Sequence, residues 1–322
     1  MKGIQFFLTP SVCVLFLMSV ACKFSFDEQV VVPAQKSVLA IETQFALDEE
    51  PFLIVTRTRS IGEPIKWDFN YKAILDKTPD TIIYNYSAYF DTVKNVSVQL
   101  YEADSLIRTF DQSSPYTKVG YAAKTVNYKK NVEYTLKIFA PGFDTVIGKQ
   151  KPPSQVDLKK AAFTFNSASG SNGSQVSELA IEFEDILNED NYYAIDVYYE
   201  YLNFRQYKIS YPLKIIKIDN ASAGASYISD KTFDGQKHTW RVGLQLDEQY
   251  QSSYQRDSAE LKIYFRSVSK DYTLYKRNAE INAAVEQSDF TEPASTYTNL
   301  AGGIGVFTIF GRLRAYTIKL YK

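Results

Sequence analysis

The chain has 322 residues and almost balanced charge, with 36 Lys and Arg residues against 37 Asp and Glu residues. Proteins that bind nucleic acid through its phosphates concentrate basic side chains, but no basic run here is longer than the pairs Lys129-Lys130 and Lys159-Lys160. We therefore expect no nucleic-acid partner. The aromatic content of 25 Tyr and 21 Phe favours β-structure, because aromatic side chains pack well on pleated, half-buried surfaces.

Residues 1–21 have the pattern of a secretory signal. Lys2 supplies a positive charge, and the apolar run from Phe6 to Val20 is too short to span a membrane. Cys22 follows in a position that resembles the lipobox of bacterial lipoproteins, in which the thiol is diacylated before the signal is removed. We expect Cys22 to be lipidated and to become the first residue of the mature chain. The alternative is an ordinary secreted protein with an incidental cysteine.

Two mostly β domains are predicted after the signal. Residues 22–36 form a polar tether, residues 37–153 a first domain and residues 154–322 a second. The boundary is placed after Pro152 and Pro153, because two prolines end a strand and stiffen the chain. In the first domain, apolar and polar side chains alternate over short segments separated by turn residues. This pattern is typical of a β-sandwich of the immunoglobulin-like or prealbumin-like kind, with a barrel as the alternative.

The second domain is predicted to be antiparallel β, either a sandwich or barrel-like. Alternating segments recur there, the longest from Asn191 to Tyr201. One helix is predicted at about residues 271–286, with Asp271 as its N-cap. The glycine run from Gly302 to Gly305 precedes a strand rather than a helix, so it indicates close backbone approach or a bulge and not a phosphate loop.

The sequence contains no recognisable catalytic constellation. His238 is the only histidine, and no nucleophile motif accompanies it. With one histidine and one lipidated cysteine, the mature chain also lacks the ligands that zinc requires. We expect no cofactor and no catalytic residue.

Carboxylates crowd one predicted strand end and the turn after it. These side chains could bind calcium through oxygen ligands, or act as acid and base in glycoside hydrolysis together with Glu182. No EF-hand spacing is present, and acidic turns are usually only solvated. The weak calcium candidates are Glu184, Asp185, Glu189 and Asp190.

A tyrosine-rich strand follows this turn and has aromatic side chains on both faces. One face must belong to the core, so Tyr192 and Tyr198 on the other face form a possible binding surface for sugars or for a protein. The competing interpretation is that the second face is also covered, for example by the predicted helix at 271–286.

Several separated segments resemble one family of lipoproteins. They are Cys22, Asn95–Val98, Tyr134–Leu136 with Pro141–Phe143, Phe183–Asp185 with Asn191–Tyr193, Ser267–Tyr272, and Asn299–Leu300 with Gly302–Phe307. In these segments the chain resembles the family catalogued as domain of unknown function 4249, found in the Bacteroidota and often encoded beside TonB-dependent transporters. The resemblance implies an outer-membrane lipoprotein facing the cell surface, with no established activity and no catalytic residues to transfer.

These observations predict a non-catalytic, lipid-anchored protein that acts as an accessory partner of a TonB-dependent transporter. A surface lipoprotein that binds or hydrolyses glycans is one alternative. A structural envelope lipoprotein is another. The ligand would be a glycan or a peptide.

Overall fold

The computed structural model describes residues 36–59, 74–75, 82–83, 93–112, 120–169, 175–202, 208–218, 226–246, 259–285, 297–312 and 314–320. Strands dominate these ranges, so the mainly β fold class is confirmed. The described elements, in chain order, are β1 (Leu39–Ala46), β2 (Phe52–Arg57), β3 (Ile74–Leu75), β4 (Ile82–Ile83), β5 (Ser97–Glu102), β6 (Ser105–Gln112), β7 (Gly120–Ala122), β8 (Tyr134–Phe139), β9 (Val146–Gln150), β10 (Lys160–Ser169), β11 (Gln175–Glu184), β12 (Tyr192–Leu202), β13 (Lys208–Pro212), β14 (Lys214–Ile216), β15 (Tyr227–Ser229), β16 (Lys237–Gln245), β17 (Glu260–Val268), α1 (Lys270–Val285), β18 (Leu300–Ala301), β19 (Gly303–Val306), β20 (Ile309–Phe310) and β21 (Ala315–Lys319).

Strands from the first half of the chain, joined by β18, β19 and β20 from near its end, form a nearly closed, barrel-like sheet. Its strand order is β18-β9-β8-β5-β6-β7-β2-β1-β19, and β20 also pairs with β1. The two end strands, β18 and β19, are consecutive pieces of one segment, Leu300–Val306, so a single stretch of chain joins both ends of the sheet. The sequence pattern favoured a β-sandwich of the immunoglobulin-like or prealbumin-like kind here, with a barrel as the alternative, and the hydrogen-bonding pattern gives the barrel-like alternative, because strands distant in sequence join the two ends of the sheet.

Glycines permit the close backbone contacts at this junction. Gly302 and Gly305 have φ angles of +78° and +112°, which side chains with a Cβ rarely adopt. A Cβ on Gly302 would overlap the carbonyl oxygen of Thr145, and one on Gly305 would overlap that of Ile41. The prediction that this run allows close backbone approach is confirmed.

An apolar core fills the barrel-like sheet. Phe45 is fully buried in it, stacked on Phe110 at 5.4 Å between ring centroids and edge-on to Phe307 at 5.5 Å. Both ends of the chain's described part therefore contribute to this core. Its buried members include Leu39, Ile41, Leu53, Val55, Val98, Leu100, Tyr134, Leu136, Ile138, Val146, Leu300 and Ile309.

The second half forms two antiparallel sheets that share one core. One has the order β10-β11-β16-β14, and the other has the order β13-β12-β17-β21, with β15 also paired to β12. Of the two predicted arrangements for this half, the sandwich is the one found. The shared core includes Leu179, Ile181, Phe183, Tyr193, Ile195, Val197, Tyr199, Trp240, Val242, Leu244, Leu261, Ile263 and Phe265.

Helix α1 spans Lys270–Val285, within one residue of the prediction. Its N-cap is Ser269, whose Oγ accepts a hydrogen bond from the backbone N–H of Tyr272 at 3.2 Å, so the prediction of Asp271 as the N-cap is wrong. Asp271 lies in the first turn, where its carboxylate accepts hydrogen bonds from the Tyr297 hydroxyl at 2.5 Å and from Gln150 Nε2 at 3.2 Å.

A third, smaller cluster lies beside helix α1. It is made of Ala46, Ala194, Tyr227, Val268, Tyr272 and Phe310, with Tyr192 packed against it. All of these residues belong to the compact unit formed by Ser37–Arg59 and Pro64–Lys322. The domain division at residues 153 and 154 stays a prediction. In the part of the chain described here, no helix is long and apolar enough to cross a membrane.

The glycine junction yields a test of stability. We expect Gly305→Ala to lower the free energy of unfolding by about 2–5 kcal/mol, because it adds an unfavourable φ to a backbone overlap. Gly142→Ala is the matched control, since Gly142 also has a positive φ, +83°, but no heavy atom near a Cβ. It should cost only about 1–2 kcal/mol. Chemical denaturation of both variants measures the difference, and equal losses would contradict the role assigned to the junction.

Candidate functional site

Strand β12 presents apolar or aromatic side chains on both faces. Tyr193, Ile195, Val197 and Tyr199 point into the sandwich core and are buried. The alternate side chains lie on the opposite face of the same sheet, because successive residues of a strand point to opposite sides. The possible binding surface predicted from the sequence is on this outer face.

The structure divides the outer face of β12 into two parts. At its beginning, Tyr192 and Ala194 pack in the small cluster beside helix α1, together with Tyr272. Tyr227 fixes the helix there, since its hydroxyl lies 3.2 Å from Glu280 Oε2 in a hydrogen bond. Burial, then the charge and hydrogen bond of Glu280, raise the pKa of Tyr227 to about 12. Tyr192 is therefore half-buried against a cluster to which helix α1 contributes Tyr272, which agrees in part with the competing interpretation.

The far part of the same face forms a cleft of about 250 Å³. This cleft, called here the sheet cleft, includes Tyr198 but not Tyr192. The structure therefore separates the two tyrosines that the sequence placed on one surface. The sheet cleft is lined by Asp196, Tyr198 and Glu200 from β12, Ser210 from β13, and Tyr264 and Arg266 from β17.

The charged residues of the sheet cleft are held in ion pairs. Arg266 pairs with Asp196, and its guanidinium carbon also lies 4.7 Å from the ring centroid of Phe310. Glu200 pairs with Lys208 at 2.7 Å, and its other oxygen accepts a hydrogen bond from Ser210 Oγ at 3.2 Å. The hydrogen bond to Glu200 raises the pKa of Lys208 above its ordinary value. These contacts fix the polar groups in position.

The aromatic residues of the sheet cleft are perpendicular to each other. The rings of Tyr198 and Tyr264 have centroids 5.7 Å apart and an interplanar angle of 88°. Edge-to-face contact of this kind is a favoured arrangement for aromatic pairs. Among the described residues, neither tyrosine hydroxyl has a hydrogen-bond partner. The cleft thus combines two apolar ring surfaces with fixed polar groups, the usual composition of a small-molecule site.

The calcium candidates predicted from the sequence are dispersed. Glu184 and Asp190 are exposed, whereas Asp185 is buried. Glu189 pairs with Lys130 at 2.6 Å and accepts a hydrogen bond from Ser154 Oγ, contacts that lower the pKa of Glu189. Adjacency in sequence therefore does not bring these four carboxylates together.

Asp185 instead lies close to two carboxylates, those of Asp230 and Asp234, that no pattern in the sequence singles out. The side chains of Asp185, Asp230 and Asp234 have oxygen atoms within 4.8 Å of one another. The carboxylate of Asp185 accepts hydrogen bonds from the Tyr193 hydroxyl and from the Gly235 backbone N–H at 2.8 Å. This acidic corner joins the turn after β11 to the turn before β16.

The other two carboxylates of the acidic corner also brace the backbone. Asp230 accepts a hydrogen bond from the Asn191 N–H at 2.6 Å, and Asp234 accepts one from the Asn188 N–H at 2.9 Å. Burial, together with the charges of Asp185, Asp190 and Asp234, raises the pKa of Asp230 against the opposing effect of its hydrogen bond. We assign a structural role to this corner, because each of its carboxylates already orders a turn.

His238 has surroundings that fit the structural role expected from the sequence. Its ring stacks on Phe233 at 3.8 Å and meets Phe183 edge-on at 5.7 Å. Burial lowers the pKa of His238, with Asp185 opposing that effect, so the neutral form is favoured.

The geometry defines a class of mainly β proteins with a small, polar and aromatic cleft on one sheet face. The chain belongs to the family described as domain of unknown function (DUF4249), whose model matches residues 33–314. This match confirms the resemblance drawn from the residues. No curated protein matched the chain. Cys22, the predicted lipidation site, lies outside the described residues.

The raised pKa of Asp230 predicts a pH-dependent stability. The folded protein binds the proton of the Asp230 carboxyl group more tightly than the unfolded chain does. Asp230 therefore lowers the free energy of unfolding as the pH rises from 3.8, the ordinary pKa of this group, through its raised pKa in the folded state. Asn at this position cannot titrate. We expect the free energy of unfolding of Asp230→Asn, relative to wild type, to increase with pH across this window and then to level off.

Urea denaturation at a series of pH values measures this difference. Asp104→Asn, which removes an exposed carboxylate from the turn between β5 and β6, controls for the loss of one negative charge. If Asp230→Asn and Asp104→Asn give the same pH profile, burial of Asp230 has no such effect.

Proposed function

We propose that the protein is a non-catalytic, lipid-anchored binding protein of the outer membrane that presents a ligand to a TonB-dependent transporter. The observation that carries the binding role is the sheet cleft, which has no helix residue among the described residues of its lining, whereas Tyr192 on the same face packs in the cluster beside helix α1. A purely structural envelope protein would have no need of such a cleft.

The carboxylates favour binding over hydrolysis. Glycoside hydrolysis needs two carboxyl groups facing each other across a cleft, one of them able to donate a proton. Of the predicted acidic segment, Glu182 pairs with Lys237 at 2.8 Å and Glu189 with Lys130, and neither lines the sheet cleft. Within the cleft, Asp196 and Glu200 are both held in ion pairs with basic side chains. Both carboxylates are therefore engaged by basic partners and can orient a ligand through hydrogen bonds, whereas no further carboxylate among the described lining residues lies free beside them to complete an acid and base pair.

The anchoring part of the proposal rests on the sequence. A signal that ends at Cys22 supplies a lipid anchor, and two or three acyl chains hold a protein stably at a membrane. Confinement to the membrane of the transporter raises the effective concentration of the two partners, so modest affinity suffices for association. The family resemblance supports the same partner.

Affinity purification from the protein's own membranes in mild detergent tests the partnership. We expect a TonB-dependent transporter to co-purify with the tagged wild-type protein in near-equal amount, and to be depleted at least tenfold with Cys22→Ala, because the variant loses its anchor. Cys13→Ala is the matched control, since it removes the chain's other cysteine from within the signal and should change nothing.

The identity of the recovered proteins decides the outcome. A membrane-bound wild-type protein that recovers no transporter would contradict the partnership. Equal recovery with Cys22→Ala would contradict the contribution of the anchor.

A further inference from the structure

The charges of the sheet cleft are compensated within the protein. Arg266 is paired with Asp196, and Lys208 with Glu200. A strongly charged ligand would have to displace one member of a pair and leave the other without compensation, which is costly for partly buried groups. The side chains of Glu200 and Arg266 are only 11% and 12% exposed, so this cost is substantial. The cleft therefore favours a ligand without net charge.

The paired groups can still form hydrogen bonds with a neutral ligand. A carboxylate has about four acceptor positions and a guanidinium has five donor hydrogens, so one ion pair does not occupy either group fully. Asp196 and Glu200 accept, Arg266 donates, and the Ser210 hydroxyl can do both. Charged acceptors form the stronger class of hydrogen bonds with hydroxyl groups. This set of groups fits a ligand with several hydroxyls.

The two tyrosines add apolar surfaces in different orientations. The rings of Tyr198 and Tyr264 are perpendicular to each other. One ring can therefore stack on the C–H groups of a flat ligand face, while the other contacts the edge of the same ligand. Their hydroxyls, which have no partner among the described residues, extend the set of polar contacts. A sugar ring has both features that these walls match, an apolar face and a rim of hydroxyl groups.

The volume limits how much of a ligand the cleft can enclose. At about 250 Å³, it lies just below the range of about 300–1,000 Å³ found for small-molecule sites. We propose that the sheet cleft binds one or two rings of a neutral glycan. This inference rests on the binding role proposed above and names the chemical class of its ligand.

Affinity electrophoresis of the full-length lipoprotein in mild detergent tests the ligand class. The gels contain starch, galactomannan, xyloglucan or levan as neutral polysaccharides, and polygalacturonate as the acidic one. We expect at least one neutral polysaccharide to retard the wild-type protein, and Tyr198→Ala to weaken that binding about three- to tenfold through the loss of ring contact.

Two further variants keep the test specific. Tyr101→Ala removes another half-buried tyrosine, in β5, whose ring contacts Lys137 outside the sheet cleft, and should leave the retardation unchanged. Asp196→Asn keeps the shape of the side chain but leaves Arg266 without its carboxylate. We expect this variant to gain retardation by polygalacturonate. Equal melting temperatures of wild type and variants would show that all of them fold.

Several results would overturn the assignment. One is retardation of the wild-type protein by polygalacturonate alone. Another is binding of a peptide mixture, a casein digest, in place of any polysaccharide. The third is retardation by a neutral polysaccharide that Tyr198→Ala does not weaken. Absence of all retardation, with the transporter still co-purifying, would remove the glycan and leave the proposed function standing. Loss of co-purification would instead contradict the proposed function.

Discussion

Strand β12 packs through both of its faces, and the second half of the molecule depends on this constraint. On one face, Ile195 and Val197 contribute about 1.5–3 kcal/mol each by full burial in the sandwich core. The other face needs a cover as well, because Tyr192 and Ala194 would otherwise expose apolar surface. Helix α1 supplies that cover over only part of the strand. The sheet cleft lies further along the same face, where its described lining comes from strands β12, β13 and β17 alone.

Balanced charge extends over the open part of this face. Beside the sheet cleft, Lys262 pairs with Glu260 at 3.1 Å and bonds to the Thr317 hydroxyl at 2.8 Å. Glu260 lies directly opposite Glu200 in the pairing of β12 with β17, an arrangement of like charges that is unfavourable unless each is compensated. The lysines provide this compensation. The same pairs that permit two glutamates on one sheet face also make the cleft suited to a neutral, hydroxyl-rich ligand.

Local features were predictable from the sequence, whereas long-range pairings were not. Alternation placed β12 at 191–201 against the observed Tyr192–Leu202, and helical spacing placed α1 within one residue, because both patterns depend on neighbouring positions. The parallel pairing of β1 with β19 closes the first sheet by joining strands that most of the chain separates in sequence. No local pattern encodes such a pairing. Tyr264 and Arg266 reach Asp196 for the same reason, through the register of β12 with β17. The weak signal for them was their alternation in β17, which put both on the face opposite Ile263.

The exposure of adjacent tyrosines in β12 tests most directly the claim that helix α1 leaves part of this face open. Tyr198 lines the sheet cleft, whereas Tyr199 is fully buried in the core, so the two serve as probe and internal control within one peptide. We expect tetranitromethane treatment of the folded protein, followed by fragmentation mass spectrometry, to find nitration at Tyr198 and none at Tyr199. Equal protection of both residues would contradict an open cleft, and with it the binding role assigned to this face.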